Sequence, residues 1–434
     1  MLPKIIQLSL VHVAVAMTLV PINSTLNRVM IKELALSAAL VSLLASLPYL
    51  FSPIQVMIGS YSDRHPILGW RRSPYIVLGL LLCVGGLGLA PLAVFAMPEN
   101  HALGLFYTLL TFAAWGMGYN LASVSYFSLL SEFTGEKARS RAVAVMMTLM
   151  IIAIILTAAT LSRLLVNYSP EQLQRAFGYV AAAALLLGTL GLFGLEPRNR
   201  QPTSQLPADE RETWLNTLRP VFANPQAKRF FFYLILLLAA ILGQDVLLEP
   251  FAAQAFDLPV AATTRITSIW GTCMLITLAT ASLLEQRLGK RRVAQVGSGI
   301  AIAAFVLIAA SGVAHASAVF FVGVVLLGLG SGLATVSNLS LMLDMTTERV
   351  GLYIGAWGIA NAISRLTGTL ASGVLRDLLS ALSGDALFGY VIVFFLFALL
   401  LAISLVLLSR INVKRFQEQA RPLPFTERAA ALND

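Results

Sequence analysis

Apolar residues in this chain run in long blocks, without the two-residue alternation of a half-buried strand, and polar residues gather between the blocks. A helix that crosses a bilayer needs about 20 apolar residues. Twelve segments meet that need, at approximately 5–31, 35–59, 73–96, 102–131, 142–166, 173–195, 229–254, 264–284, 293–314, 318–343, 351–379 and 385–409. The spacing predicts two six-helix bundles, 1–195 and 229–410, joined by a polar linker at 196–228 and followed by a tail at 411–434. The fold class is all-α and polytopic, because lipid offers no partner to backbone N–H and C=O groups and a helix satisfies its own. Within the linker, apolar residues from Trp214 to Phe222 recur at helical spacing and predict a short surface helix. The run after Lys4 has no small-residue cleavage site before Pro21 and reads as the first span rather than a leader.

Composition agrees with lipid as the solvent: 58% of residues are hydrophobic, 12% are charged, and the mean hydropathy is +0.81. The net charge of +9 does not indicate nucleic acid, since the basic residues punctuate apolar runs instead of clustering on a soluble domain. Their distribution sets orientation. Of 30 Lys and Arg, 23 fall at the amino terminus, in the loops after even-numbered spans, in the linker or in the tail. Arg28, Lys32, Arg163, Arg175, Arg265, Arg365 and Arg376 are the remainder, which predicts that both termini are cytoplasmic. Cys83 and Cys273 both lie inside apolar runs and read as buried free thiols.

The two bundles repeat. Residues 116–137, GMGYNLASVSYFSLLSEFTGEK, align without a gap to 328–349, GLGSGLATVSNLSLMLDMTTER, at an offset of 212. Identity at Gly116/Gly328, Gly118/Gly330, Ser125/Ser337 and Ser128/Ser340 implies one ancestral unit, with the small residues serving close helix packing. Glu132 and Asp344 match in charge at span ends, where structural ion pairs are expected. The loop after the second span carries Gly59, Asp63, Arg64, Gly69, Arg71 and Arg72, and a degraded copy, LEQRLGKRR at 284–292, follows the eighth. This loop resembles the signature of major facilitator transporters. That resemblance implies a gating latch between the two halves, with a turn-stabilising role as the alternative for any one residue.

Ionisable groups inside a span cost roughly 2.5–3.5 kcal/mol, so those present are expected to face a cavity or a partner. The first span ends N23-S-T-L-N27-R28-V-M-I-K32-E33. Arg28 and Glu33 are expected to pair with each other or with a neighbouring helix, and Lys32 to snorkel. The seventh carries Gln244, Asp245, Glu249 and Pro250; Asp245 and Glu249 fall one turn apart on a helix, and Pro250 is expected to break it. Arg365 lies well inside the eleventh span, either paired to a carboxylate or contacting a ligand. His12 could ligate a metal, but a hydrogen-bonded histidine is the plainer reading. There is no metal-ligand cluster, phosphate-cradling loop or nucleophile with a base and orienter, so neither metal site nor catalytic residue is predicted and the chain reads as a non-enzyme.

The strings L26-N-R-V-M-I-x-E33-L, S62-D-R-H-P-x-x-G-W-R-R-x-P74-Y and Q244-D-V-L-L-E-P-F251 together resemble the bacteriochlorophyll delivery, PucC-type family of the major facilitator superfamily, in wording closer to its cyanobacterial, chlorophyll-associated branch. The resemblance implies a carrier or assembly factor that binds or delivers (bacterio)chlorophyll to light-harvesting or photosystem subunits in a cell inner membrane or photosynthetic membrane. Asn27, Arg28, Glu33, Gln244, Asp245, Glu249 and Arg365 are then the candidates for pigment binding or coupling. Trp115, Tyr119, Phe251 and Trp357 either flank a macrocycle or pack in the core. Two other functions fit the same residues: a proton-coupled transporter of a small solute, and a pigment-free intramembrane chaperone for antenna subunits.

Overall fold

The first span begins as an ordinary α-helix, α1 (Leu2–Met17), and then widens into two π-helical segments, Pro21–Leu26 and Val29–Glu33. Pro21 has no N–H to return to the preceding turn, so the ladder reopens at i→i+5 spacing, and the Leu34 N–H reaches back to the carbonyl of Val29. The expected straight helix over 5–31 is therefore an α-helix with an irregular end. The computed structural model describes residues 2–52, 54, 58, 61–62, 65–134, 136–198, 221–346 and 350–420. Gly59, Asp63 and Arg64 of the gating loop, most of the linker with its expected surface helix, and the end of the tail lie outside these.

The remaining long helices are α2 (Ala38–Leu50), α3 (Ser73–Phe95), α4 (His101–Phe133), α5 (Glu136–Leu164), α6 (Pro170–Leu192), α7 (Pro225–Gly243), α8 (Val260–Leu288), α9 (Lys290–Val313), α10 (Ser317–Asp344), α11 (Val350–Ser383) and α12 (Ala386–Ser409). Their starts are written in the sequence: the side chains of Ser37, Asn100, Ser169, Asn224 and Asp385 each accept a hydrogen bond from a first-turn N–H, and Pro170 and Pro225 open their helices. Among the described residues ten helices are long and apolar enough to cross a membrane. Among the described residues α2 is too short for that set, and α11, though 34 residues long, is not among the ten. The protein is a multi-pass membrane protein of helical type.

Gln7, near the start of α1, donates to the carbonyls of Leu190 and Phe193 at the end of α6, so the face that carries the amino terminus also carries the end of the sixth span. The repeat has a structural meaning at its glycines. A Cβ on Gly118 of α4 would lie 2.4 Å from the Cys83 nitrogen and 2.5 Å from the Gly79 carbonyl oxygen in α3. On Gly330 of α10 it would lie 2.6 Å from the Ala301 nitrogen and 2.8 Å from the Gly297 carbonyl oxygen in α9. The two crossings are built alike, backbone on backbone, as the shared residues predict.

The ion pairs repeat too. Arg72 Nε donates to Glu132 at 3.1 Å, and Lys290 Nζ to Asp344 at 2.7 Å, each within its own set of six helices. Gly69 sits beyond Leu68 in a two-residue turn closed by the Ile67–Trp70 backbone pair; both central residues have positive φ, 54° and 86°, which explains a glycine there. Glu196, just past α6, accepts from the backbone N–H groups of Arg71, Arg72 and Ser73, and thereby ties the start of the linker to that turn.

Contacts between the two sets of helices concentrate away from the termini, where α5 crosses α8 and α2 crosses α11. Ser162 donates to the Ala261 carbonyl at 2.7 Å, Ser268 to the Ile155 carbonyl at 3.1 Å, and the Ala39 N–H to Asp377 at 2.8 Å. Arg72 is engaged by Glu132 and Ser62 of its own half.

Substituting Gly118→Ala or Gly330→Ala forces a backbone shift and is expected to lower stability by about 1–3 kcal/mol. Gly85→Ala, with open space at its Cβ position, is expected to be neutral or stabilising. Thermal denaturation in detergent measures this; equal melting of the Gly118 and Gly85 variants would contradict the close-packing account.

Candidate functional site

The irregular end of the first span and the broken seventh span face each other across the middle of the molecule. After α7 the chain makes a 3-10 turn, Gln244–Val246, and restarts as the short helix Leu248–Phe256. The break thus precedes Pro250, contrary to the expectation that proline would cause it there. Pro250 is the third residue of the new helix, a first-turn position where a missing N–H breaks no bond. Asp245 and Glu249 consequently do not sit on one helical face; they fall on opposite sides of the break and meet different partners.

Glu249 is buried, and both its oxygens accept hydroxyl hydrogens: Oε2 from Ser24 at 2.7 Å and Oε1 from Thr267 of α8 at 2.5 Å. Its first-turn position also places the acid at the positive end of the short helix. Beside it, Arg28 is buried between the two π-helical segments, pairs with Glu33, and donates through Nη2 to the Leu258 carbonyl at 3.1 Å. Arg28 therefore closes on Glu33 and reaches the loop between the short helix and α8, where a pairing with Glu33 or with a neighbouring helix was expected. Lys32 pairs with exposed Asp257 at 3.2 Å, beyond a plain snorkelling role. Thr25 and Thr264 hydroxyls meet at 3.2 Å. These contacts fasten the first span to the seventh and eighth.

Asp245 belongs to a second cluster. Gln244 Nε2 donates to Asp245 at 2.7 Å, and Arg365 donates to the Tyr49 hydroxyl at 3.1 Å and to Asn361 at 3.3 Å, with its guanidinium 5.4 Å from the Tyr49 ring centre. Asn23, Tyr49, Asp245 and Arg365 border one narrow cleft of about 10 Å³, room for about one water. No ion pair within 4 Å joins Asp245 to Arg365 among the described residues. Asp245 keeps an accessible side chain deep in the bundle, whereas Glu249 does not.

Three amides stand out around these clusters, and one of them, Asn23, borders the cleft with its Oδ1 buried and unpartnered. Asn27 donates to the Asn23 carbonyl at 2.8 Å, yet its Oδ1 is buried without a partner; Gln244 likewise leaves Oε1 buried and unpartnered. A buried amide oxygen without a donor costs about 1–3 kcal/mol, and such groups need an explanation in a ligand, a water or a moving part. The four aromatic residues proposed as macrocycle flanks do not converge here. Trp115 donates to Thr18 within the first bundle, Phe251 packs on Phe320 and Phe394, Trp357 packs on Phe230, and Tyr119 is partly buried against the core. His12 is engaged by the Tyr126 hydroxyl. Among the described residues no group of three potential metal ligands occurs.

Ser24, Thr267 and Tyr49, which hold the two carboxylate clusters, escaped sequence reading. Ser24 lies in the polar run already singled out and Thr267 in a TTRITS string, but Tyr49 follows an apolar stretch and carries no signal.

The chain is 32% identical to Protein PucC of Cereibacter sphaeroides, over 95% of this chain and 94% of that one. It is 30% identical to the Bacteriochlorophyll synthase 44.5 kDa chain of Rhodobacter capsulatus, over 93% of this chain and 95% of that one. In fold it matches the crystal structure of a bacterial homologue of the human lysosomal transporter Spinster, at a TM-score of 0.71 and 13% identity over 97% of this chain and 98% of that one. The fold is therefore that of a major facilitator transporter. The PUCC protein family model matches residues 25–416, from the irregular end of the first span to the helix after α12, and the chain belongs to that family.

Proposed function

We propose that this protein is a non-enzymatic membrane carrier and assembly factor that binds (bacterio)chlorophyll and hands it to light-harvesting or photosystem subunits. The observation that carries the reading is the pair of buried, unpartnered amide oxygens of Asn27 and Gln244, beside a broken helix, in a chain of the PUCC family related to a protein named for bacteriochlorophyll synthesis. An amide oxygen is a hard, neutral donor suited to an axial position on magnesium. The cleft of about 10 Å³ admits no macrocycle, so pigment entry requires the helices around it to separate. Separation from the termini side leaves the Ser162–Ala261, Ser268–Ile155 and Ala39–Asp377 contacts in place and breaks the Arg365–Tyr49 hydrogen bond that crosses the cleft. Arg28, Glu33 and Glu249 hold the opposite side closed, and Asp245 and Arg365 form the charged floor of the opening.

The same cleft supports a second reading, proton-coupled transport of a small solute, because Asp245 is accessible, faces Arg365 without a direct pair, and borders a water-sized space. Under that reading Asp245→Asn abolishes pH-driven flux in vesicles; unchanged flux removes it.

Under the pigment reading, replacing Asn27 or Gln244 by Ala is expected to weaken binding of added chlorophyll by about tenfold, equivalent to about 1.4 kcal/mol, as read by quenching of pigment fluorescence on the purified protein. Trp357→Phe, inside the core, is expected to leave affinity unchanged. Equal affinity in all variants would exclude these amides as ligands. Normal antenna assembly by an Asn27→Ala/Gln244→Ala variant, in a strain whose deletion lowers antenna levels, would favour the pigment-free chaperone.

A further inference from the structure

A second cavity, of about 550 Å³, lies between α5 and α8, outside the clusters described above. Arg163, in the last turn of α5, and Arg265, near the start of α8, border it, with Ser162, Ser268 and Thr272 as hydroxyl neighbours and Ala159, Ile269 and Cys273 as apolar walls. Both arginines are exposed, and neither forms an ion pair or side-chain hydrogen bond among the described residues. No acidic side chain borders the cavity. Two like charges at one opening repel unless an anion lies between them, and both belong to the seven basic residues that depart from the positive-inside pattern.

The cavity is also graded. From Arg265 to Cys273 is eight residues, about 12 Å along a helix, so the charged rim passes into a less polar depth over about two turns. The hydroxyls point their hydrogens elsewhere, Ser162 to Ala261, Ser268 to Ile155 and Thr272 to Ser268 carbonyls, which leaves the guanidiniums as the donors available to a guest. A volume of this size is that of a ligand pocket. Charge at one end, apolar wall below and position at the crossing of two membrane-spanning helices together describe an amphiphile with an anionic head.

We propose that this cleft binds the phosphate group of an anionic membrane lipid, held by Arg163 from one bundle and Arg265 from the other. Because the two guanidiniums come from different bundles, an occupied cleft ties α5 to α8 on the side where the described inter-bundle contacts already lie.

The full-length protein in nanodiscs of phosphatidylcholine with and without phosphatidylglycerol tests this by native mass spectrometry. The wild type is expected to retain phosphatidylglycerol, and Arg163→Gln/Arg265→Gln to retain about tenfold less or lower still. Arg163→Lys/Arg265→Lys, which keeps the charge, is expected to recover part of it, and Ala159→Trp, which fills the cleft without touching a charge, to lose it. Equal retention by wild type and the double Gln variant, or equal retention of the two lipids by the wild type, would overturn the proposal. Displacement of the lipid by millimolar inorganic phosphate would show a free-anion site and overturn the assignment to lipid. Unaltered pigment affinity in the double Gln variant separates failure here from failure of the carrier reading.

Discussion

Burying charge where water is scarce is the constraint on which this structure turns. An ionic group inside a bilayer-spanning bundle persists only with partners, and here the partners come from different helices. Glu249 holds Ser24 and Thr267, while Arg28 holds Glu33 and the Leu258 carbonyl. Satisfying these groups brings the irregular end of the first span, the restarted seventh and the start of the eighth to one place. Removing Glu249 takes the acceptor from the Ser24 and Thr267 hydroxyls, and removing Arg28 takes the donor from the Leu258 carbonyl, so both residues help to keep that side of the molecule shut.

The two bundles are rigid for a different reason. Glycine contacts at Gly118 and Gly330 set backbone against backbone in each, and the Arg72–Glu132 and Lys290–Asp344 pairs close the termini-side ends within each bundle. Motion is therefore expected between the bundles, whose described polar contacts concentrate away from the termini, and not within them. The broken seventh span supplies irregular backbone where it lines an interior space, the circumstance in which membrane proteins tolerate it.

Much of this was legible in the sequence. Block hydrophobicity located most of the helices to within about six residues, because lipid imposes a length and an apolarity that the chain cannot disguise, but it missed the irregular end of the first span and the early ends of α2 and α7. The repeat at 116–137 and 328–349 identified the glycines and the two acids whose partners the structure supplies. Less legible was the position of the helix break: Pro250 drew attention, but the chain had already turned at Gln244–Val246, and a proline in a first turn disturbs nothing. Tyr49, partner of Arg365, could not be anticipated, since a tyrosine in an apolar run carries no mark of what it will meet across 316 positions of chain. The cleft between α5 and α8 was equally hidden. Arg163 and Arg265 were read as exceptions to a charge rule, and only tertiary packing puts them at one opening.

The facilitator fold alone suggests a solute carrier, whereas family membership and the unpartnered amides of Asn27 and Gln244 point to a pigment. The absorption spectrum of the protein purified in mild detergent from a phototrophic host tests that claim most directly. The account predicts a red (bacterio)chlorophyll band that co-elutes with the protein and is lost when Asn27 and Gln244 are both replaced by Ala. A colourless wild-type preparation, or a band of equal height in the double variant, would contradict it.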